Sequence, residues 1–142
     1  MNIYVDSSFL VSLYIPDANS PEAELITHGS TGAFIVTDLC ELEVINALSL
    51  RVFRKQAAAG DAHIALHNLD RDLQEGLLEH RRFPDGVFER AGQLSRQTTA
   101  KLGTRTADLL HVAAALELGA DYLYSFDQQQ RKLAQNVRLK LN

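Results

Sequence analysis

The hydrophobic period of the 142-residue chain changes several times, and each change marks a predicted element. Ile3 to Val5 is a short β-branched run that ends on Asp6, and Ala33 to Val36 is a second that ends on Thr37; both read as buried parallel strands. Between them, Ser7 to Tyr14 and Pro21 to His28 carry helical spacing, broken at Pro16 and closed by Gly29, so the opening reads strand, helices, strand. Thr37 or Asp38 can cap a long helix from about Leu39 to Ala59, with Leu42, Ile45, Leu48 and Val52 as its apolar stripe and Gly60 as its stop. Asp61 then caps a helix through Leu66, Leu69 and Leu73 to about Glu75.

Leu77 to Phe83 alternates less cleanly, but its place between Gly76 and Pro84 predicts a third strand. Val87 to Leu102 is amphipathic and closed by Gly103. Thr104 or Thr106 caps Ala107 to Leu118, a helix apolar on nearly every face and therefore buried. Tyr122 to Ser125 reads as a fourth strand, Asp127 starts a helix through Leu133, and Val137 to Leu139 offers a short fifth strand. This alternation predicts an α/β fold: a central, mostly parallel sheet of four or five strands with helices on both faces.

With 46% hydrophobic residues, the chain can bury one core without staples, so residues 1–142 are expected to form a single domain. Cys40 is the lone cysteine, which excludes an internal disulfide, a cysteine zinc site and an iron–sulfur cluster, and suits a reducing, cytoplasmic setting. Met1 to Asp6 has no basic region and breaks its apolar run at an acid, unlike a secretory leader. No apolar stretch approaches the ~20 residues of a membrane helix. Fourteen basic against 18 acidic residues give a net charge of −4, which speaks against blanket neutralisation of nucleic-acid phosphates.

Where the acids fall changes that picture. In open parallel α/β sheets, functional residues collect beyond the carboxyl ends of the strands, where strand order reverses. Asp6 follows the first strand directly, and Asp127 follows the fourth after Ser125 and Phe126. Asp108 sits in the first turn of the buried helix, and Glu43 lies one turn into the helix after the second strand. Four carboxylates far apart in sequence are thus predicted to converge on one edge. Crowded carboxylates repel and raise one another's pKa, so an ionised cluster needs a counter-charge; a hard cation such as Mg²⁺ or Mn²⁺ suits oxygen ligands. Such a site hydrolyses phosphodiesters by activating water and neutralising charge on the phosphate. The chain offers no thiol nucleophile and no glycine-rich phosphate loop. An aspartyl-phosphate phosphatase would need a second Asp where Ser8 stands, and a phosphoacceptor receiver a Lys near Ser125 to Asp127, where there is none.

The segments Val5-Asp6-Ser7-Ser8-Phe9-Leu10, Glu43-Val44-Ile45-Asn46-Ala47-Leu48, Thr106-Ala107-Asp108-Leu109-Leu110-His111-Val112-Ala113-Ala114-Ala115-Leu116 and Leu123-Tyr124-Ser125-Phe126-Asp127 resemble, in order, the four acidic motifs of PIN-domain nucleases. In length the chain resembles the VapC-type toxins of bacterial and archaeal toxin–antitoxin pairs. The resemblance implies a three-layer α/β/α domain with Mg²⁺- or Mn²⁺-dependent endoribonuclease activity, its products ending in 5′-phosphate and 3′-hydroxyl. It also implies homodimerisation and neutralisation by a small antitoxin. Carried over by position, Asp6, Glu43 and Asp108 match the three principal metal-site acids and Asp127 the fourth, more variable one. Ser125 matches the hydroxyl that commonly precedes that acid, although the family motif often reads Thr-x-Asp. Glu41 is a rival to Glu43, but Glu43 is the one followed by the family's Val-x-Asn-Ala-Leu pattern.

Each acid also has an ordinary structural role, since Asp at a strand end or in a first helical turn serves turn chemistry and the helix dipole. Asp127 in particular reads equally as the N-cap of the last helix. Asp108 is harder to explain that way, because a carboxylate ahead of an all-apolar helix is buried unless something pairs with it. His111 is expected to pack inside the fold rather than act as a base, and Cys40 to be a small core residue. His63 and His67 have the spacing of a helical metal pair but no third ligand. Arg51, Arg54 and Lys55 after Glu43, and Arg105 before Asp108, can flank the pocket and hold RNA phosphates; a solvated helical face is the competing reading. The apolar stripes from Arg51 to Glu75 either complete the core or face a dimer mate or antitoxin helix. The alternative function is a catalytically inactive PIN-like module that binds RNA or protein. Asp6, Glu43, Asp108 and Asp127 account for the whole net excess of acid, so with cations bound among them the surface met by RNA is close to neutral.

Overall fold

The computed structural model describes residues 1–142. In chain order the elements are β1 (Asn2–Val5), α1 (Ser7–Tyr14), α2 (Ser20–Gly29), β2 (Ala33–Thr37), α3 (Asp38–Phe53), α4 (Ala59–Gln74), β3 (Leu78–Arg81), α5 (Val87–Leu102), α6 (Thr106–Glu117), β4 (Tyr122–Tyr124), α7 (Gln128–Asn136) and β5 (Lys140–Leu141). The strands form one five-stranded sheet in the order β3-β2-β1-β4-β5, parallel throughout. Parallel pairing demands crossover connections, and every one here is helical. Helices α1 to α4 pack together, as do α5 to α7, which gives a three-layer α/β/α arrangement. The chain runs from β1 outward through β2 to β3, then returns to the other side of β1 for β4 and β5. Strand order therefore reverses between β1 and β4, and a crevice opens beyond their carboxyl ends.

Burial accounts for the composition of each strand. Ile3, Tyr4, Val5, Ile35, Val36 and Leu123 are wholly buried, as strands covered on both faces require. β3 pairs only with β2, and Leu78 is its one buried residue, so this edge strand carries only a weak hydrophobic pattern. In α6 the run His111 to Ala115 is buried in succession, as expected of a helix apolar all round.

Helix ends depart from the sequence expectation where the capping residue is unusual. Helix α3 stops at Phe53, not near Ala59. Lys55 adopts a left-handed backbone (φ 58°) and donates its N–H to the Val52 carbonyl at 3.0 Å, while the Gln56 N–H reaches the Arg51 carbonyl at 2.8 Å. This is the cap geometry that glycine normally fills, and with lysine there nothing in the residue types announces it. Gly60 consequently lies in the first turn of α4, and Asp61 serves that turn without capping it. The buried face of α3 is Cys40, Val44 and Leu48, whereas Leu42 and Ile45 are exposed. Arg105, rather than Thr104 or Thr106, holds the N-cap position of α6. Helix α7 runs on past Leu133 to Asn136 and Arg138 turns the chain at φ 63°, so the last strand is Lys140–Leu141 instead of Val137 to Leu139. No helix is long and apolar enough to cross a membrane.

Candidate functional site

Asp6, Glu43, Asp108 and Asp127 reach one cavity of about 320 Å³, with Arg105, His111 and Gln130 beside them. A different local cause places each acid. Asp6 ends β1 and caps α1: its Oδ1 accepts the Phe9 N–H at 2.9 Å and the Ser8 hydroxyl at 2.7 Å. Its Oδ2 accepts the Ser125 hydroxyl at 2.6 Å and the Gln130 side-chain amide at 2.8 Å. Asp6 is only 2% exposed, and burial pushes its pKa up despite these donors and the nearby His111 charge.

Asp127 caps α7 through Oδ1, which accepts the Gln129 and Gln130 N–H groups at 2.9 and 3.1 Å. Capping leaves Oδ2 free for Arg105 Nη2 at 2.6 Å. Asp108, in the first turn of α6, accepts the Arg105 backbone N–H at 2.9 Å on Oδ2, Arg105 Nε at 3.0 Å on the same oxygen, and Nη2 at 3.0 Å on Oδ1. The guanidinium expected to flank the pocket thus bridges two of its acids. Burial raises the Asp127 carboxyl, but the Arg105 hydrogen bond and charge outweigh it and hold the group low. Bonds to Asp108 and Asp127 in turn raise the Arg105 pKa above its usual range.

Glu43 lies in the second turn of α3, and its Oε2 accepts the Ser7 hydroxyl and His111 Nε2, each at 2.6 Å. His111 is almost wholly buried, as expected, yet it makes polar contacts on both sides. Its Nδ1 meets the Tyr4 hydroxyl at 2.9 Å, and that hydroxyl lies 3.2 Å from Thr37 Oγ1 and 3.3 Å from Cys40 Sγ. Burial disfavours charge on His111, but Cys40 and Glu43 outweigh it and raise the pKa to about 10. Glu43, at 2.6 Å, is far closer than the Cys40 sulfur at 3.9 Å. Burial pushes Glu43 up in turn, and the hydrogen bond and charge of His111 bring it below its ordinary value.

Two serines lock the segment after β4 to the start of α1. Ser125 Oγ donates to Asp6 and accepts the Asp127 N–H at 3.0 Å; Ser8 Oγ donates to Asp6 and accepts the Phe126 N–H at 2.9 Å. Ser7, Ser8 and Gln130 are not among the sequence-predicted site residues. Ser7 and Ser8 nevertheless lie inside the first acidic motif, and Gln130 follows Asp127 by one helical turn. Of the other bases, Arg51 is paired with Asp17 at 3.1 Å, Arg54 stands on the rim of a neighbouring cavity, and Lys55 lines neither space. Glu41 turns to His80 at 3.4 Å, away from the four acids.

As the side chains stand, no three acid, histidine or cysteine groups are disposed as ligands of one metal ion. The donor chemistry does fit a hard divalent cation: the cavity is lined by carboxylates, Cys40 is wholly buried, and both nitrogens of His111 are engaged. Arg105 supplies the positive charge that the neighbouring carboxylates require.

Residues 3–136 match the model of the PIN domain family. Curated protein sequences yield no match. Among solved structures, VapC20 of Mycobacterium tuberculosis, a sarcin–ricin loop cleaving toxin, is similar with a TM-score of 0.72 at 16% identity over 92% of this chain and 93% of that one. VapBC2 from Rickettsia felis, solved bound to a DNA fragment from their promoter, gives 0.67 at 19% identity, covering 100% and 98%. VapBC-1 from nontypeable Haemophilus influenzae gives 0.65 at 16% identity, covering 100% and 97%. At such identities the likeness establishes a shared fold. With the sequence match spanning nearly the whole length, the chain belongs to the PIN-domain family.

Proposed function

We propose that this protein is a Mg²⁺- or Mn²⁺-dependent endoribonuclease, acting as the toxin of a type II toxin–antitoxin pair. The convergence of Asp6, Glu43, Asp108 and Asp127 on one cavity carries this reading. PIN domains are generally nucleases, and the sarcin–ricin loop cleavage described for VapC20 supports RNA as the substrate. A divalent cation held by these four acids would supply charge neutralisation at the phosphodiester and a more acidic water for attack on phosphorus.

The chain's own residues do the positioning. Ser8, Ser125 and Gln130 fix the Asp6 carboxylate from all sides, while Ser7 and charged His111 orient Glu43. Supports of this kind typically change metal affinity or activity by about 10- to 100-fold. Arg105, with 60% of its side chain exposed, covers Asp108 and Asp127 from the cavity mouth and is the group best placed to meet a substrate phosphate. Because it occupies the same acids as a cation would, Arg105→Gln is expected to bind Mn²⁺ tighter than the wild type, by roughly 5-fold. Calorimetric titration checks this, and unchanged or weaker affinity would refute the competition.

Exposed Leu42, Ile45 and Phe53 on α3 and Ile64 on α4 give a second copy of the chain and a small antitoxin an apolar surface to cover. The pairing named in VapBC2 and VapBC-1 supports such a partner. The chain, purified free of any partner, is expected to cut RNA with Mg²⁺ or Mn²⁺ and to stop with EDTA. If it binds several RNAs but cuts none of them, the nuclease reading fails and the inactive binding module takes its place.

A further inference from the structure

A second and larger cavity, about 560 Å³, adjoins the acidic one and shares Ser7, Ser8, Ala47, Leu50 and Asp127 with it. Its character differs. Phe126, the residue immediately before Asp127, is half-buried and contributes an aromatic wall, together with Val11. The ring is braced from behind by Phe9, at 5.5 Å between centroids and 14° between planes. Its backbone is fixed as well, since the Phe126 N–H donates to Ser8 Oγ at 2.9 Å, the same hydroxyl that bonds Asp6. The aromatic wall is therefore held in a set relation to two of the four acids.

Polar groups line the same cavity. Ser12 and Asp17 line the cavity but are already bonded to each other at 2.9 Å, and Arg51 is bonded to Asp17. Arg54 has no ion-pair partner and is exposed on the rim, one free cation in a mostly polar cavity whose single aromatic side chain is Phe126. A flat hydrophobic group carrying an anion a few bonds away fits that combination, and a nucleotide is such a group. A base stacked on an aromatic face gains binding whichever base it is, and arginine adds the phosphate contact.

We propose that this cavity binds the nucleotide adjoining the scissile phosphate, with its base stacked on Phe126 and its far phosphate met by Arg54. This rests on the nuclease reading of the acidic cavity and extends it to how the RNA is held. The placement makes Phe126 a binding residue that contributes the same interaction to any base, so it sets the register of the strand against Asp127 without setting its sequence.

The test uses the full chain in EDTA, where binding is read without cleavage. Short single-stranded RNAs carrying one 2-aminopurine at successive positions are titrated with the wild type, Phe126→Leu, Phe126→Tyr and Arg54→Gln. Leucine keeps apolar contact with Phe9 but removes the flat face, and a thermal melt of each variant confirms that it is folded. Expected for the wild type and Phe126→Tyr is quenching of the 2-aminopurine fluorescence on binding, at whichever position the label is carried, because stacking on Phe126 is indifferent to the base. Phe126→Leu should lose that quenching and bind roughly 5- to 150-fold more weakly. Arg54→Gln should keep the quenching and lower the salt slope of log K by about 0.7. Absence of quenching in the wild type, or quenching and affinity unchanged in Phe126→Leu, overturns the subsite. Phe126-dependent quenching in a chain that never cuts RNA overturns the nuclease reading and, with it, the placement beside a scissile phosphate, leaving only base stacking on Phe126; cutting with Phe126-independent binding overturns the subsite alone.

Discussion

Asp6→Asn should remove RNA cleavage, by about 10²- to 10³-fold or more, and at the same time raise the thermal midpoint of the metal-free protein at pH 7. The two effects have one cause. Asp6 is a carboxylate kept almost wholly out of water, and burial lifts its pKa. A raised carboxyl pKa means that the fold prefers the protonated form, so ionisation costs stability as the pH climbs through the unfolded carboxylate range toward the folded value. Asparagine avoids that cost. Its Oδ1 still accepts the Phe9 N–H that caps α1, and its amide can donate to Ser125 Oγ and to the oxygen of a turned Gln130 amide. Calorimetry across pH 4 to 7 gives the check: the advantage of the variant should be small in acid and grow toward neutrality. A variant less stable than the wild type at pH 7 would mean that the four hydrogen bonds to the carboxylate outweigh its desolvation. Alanine is the poorer probe, because it removes the helix cap, worth about 1 kcal/mol, and strands the Gln130 amide.

His111→Leu should cost roughly 3 kcal/mol of stability and weaken RNA cleavage, by freeing Glu43 and by removing a positive charge near Asp6. The substitution removes the partner of Glu43 at 2.6 Å and of the Tyr4 hydroxyl at 2.9 Å in one step. A pH dependence separates this from loss of packing alone. In the fold His111 is held charged, with burial opposing the charge and Cys40 and Glu43 raising its pKa to about 10. The stability this contributes is complete below the ordinary histidine value near 6.5 and is lost as the pH rises through about 10. Denaturant midpoints of the wild type should therefore fall between pH 7 and 10, and those of His111→Leu should fall less. Parallel curves would show that His111 is neutral in the fold and that its worth is packing.

Much of the architecture is local in origin. The apolar runs of β1, β2 and β4, the all-apolar body of α6 and the glycine closing α5 at Gly103 each follow from period and residue type, and each falls where the periodicity predicts within a residue or so. The sequence misleads where a charged residue adopts the conformation glycine usually takes. Lys55 and Arg138 have side chains that say nothing of their left-handed backbones, so α3 and α7 end elsewhere than the residue types suggest. The exposure of Leu42 and Ile45 is likewise invisible locally, because an apolar stripe reports that a face is hydrophobic and not what covers it.

The same division runs through the site. Asp6, Asp108 and Asp127 occur at helix starts and Glu43 one turn into a helix, positions a single chain reveals because caps and turns are chemistry between near neighbours. What those acids touch is decided by the reversal of strand order between β1 and β4, which brings residues more than a hundred positions apart into hydrogen-bond reach, Ser125 and Gln130 onto Asp6 among them. Arg105 shows the difference most plainly. The sequence shows a base beside an acid, and the tertiary structure turns that base inward across Asp108 and Asp127, because carboxylates drawn together by the fold need a positive charge between them.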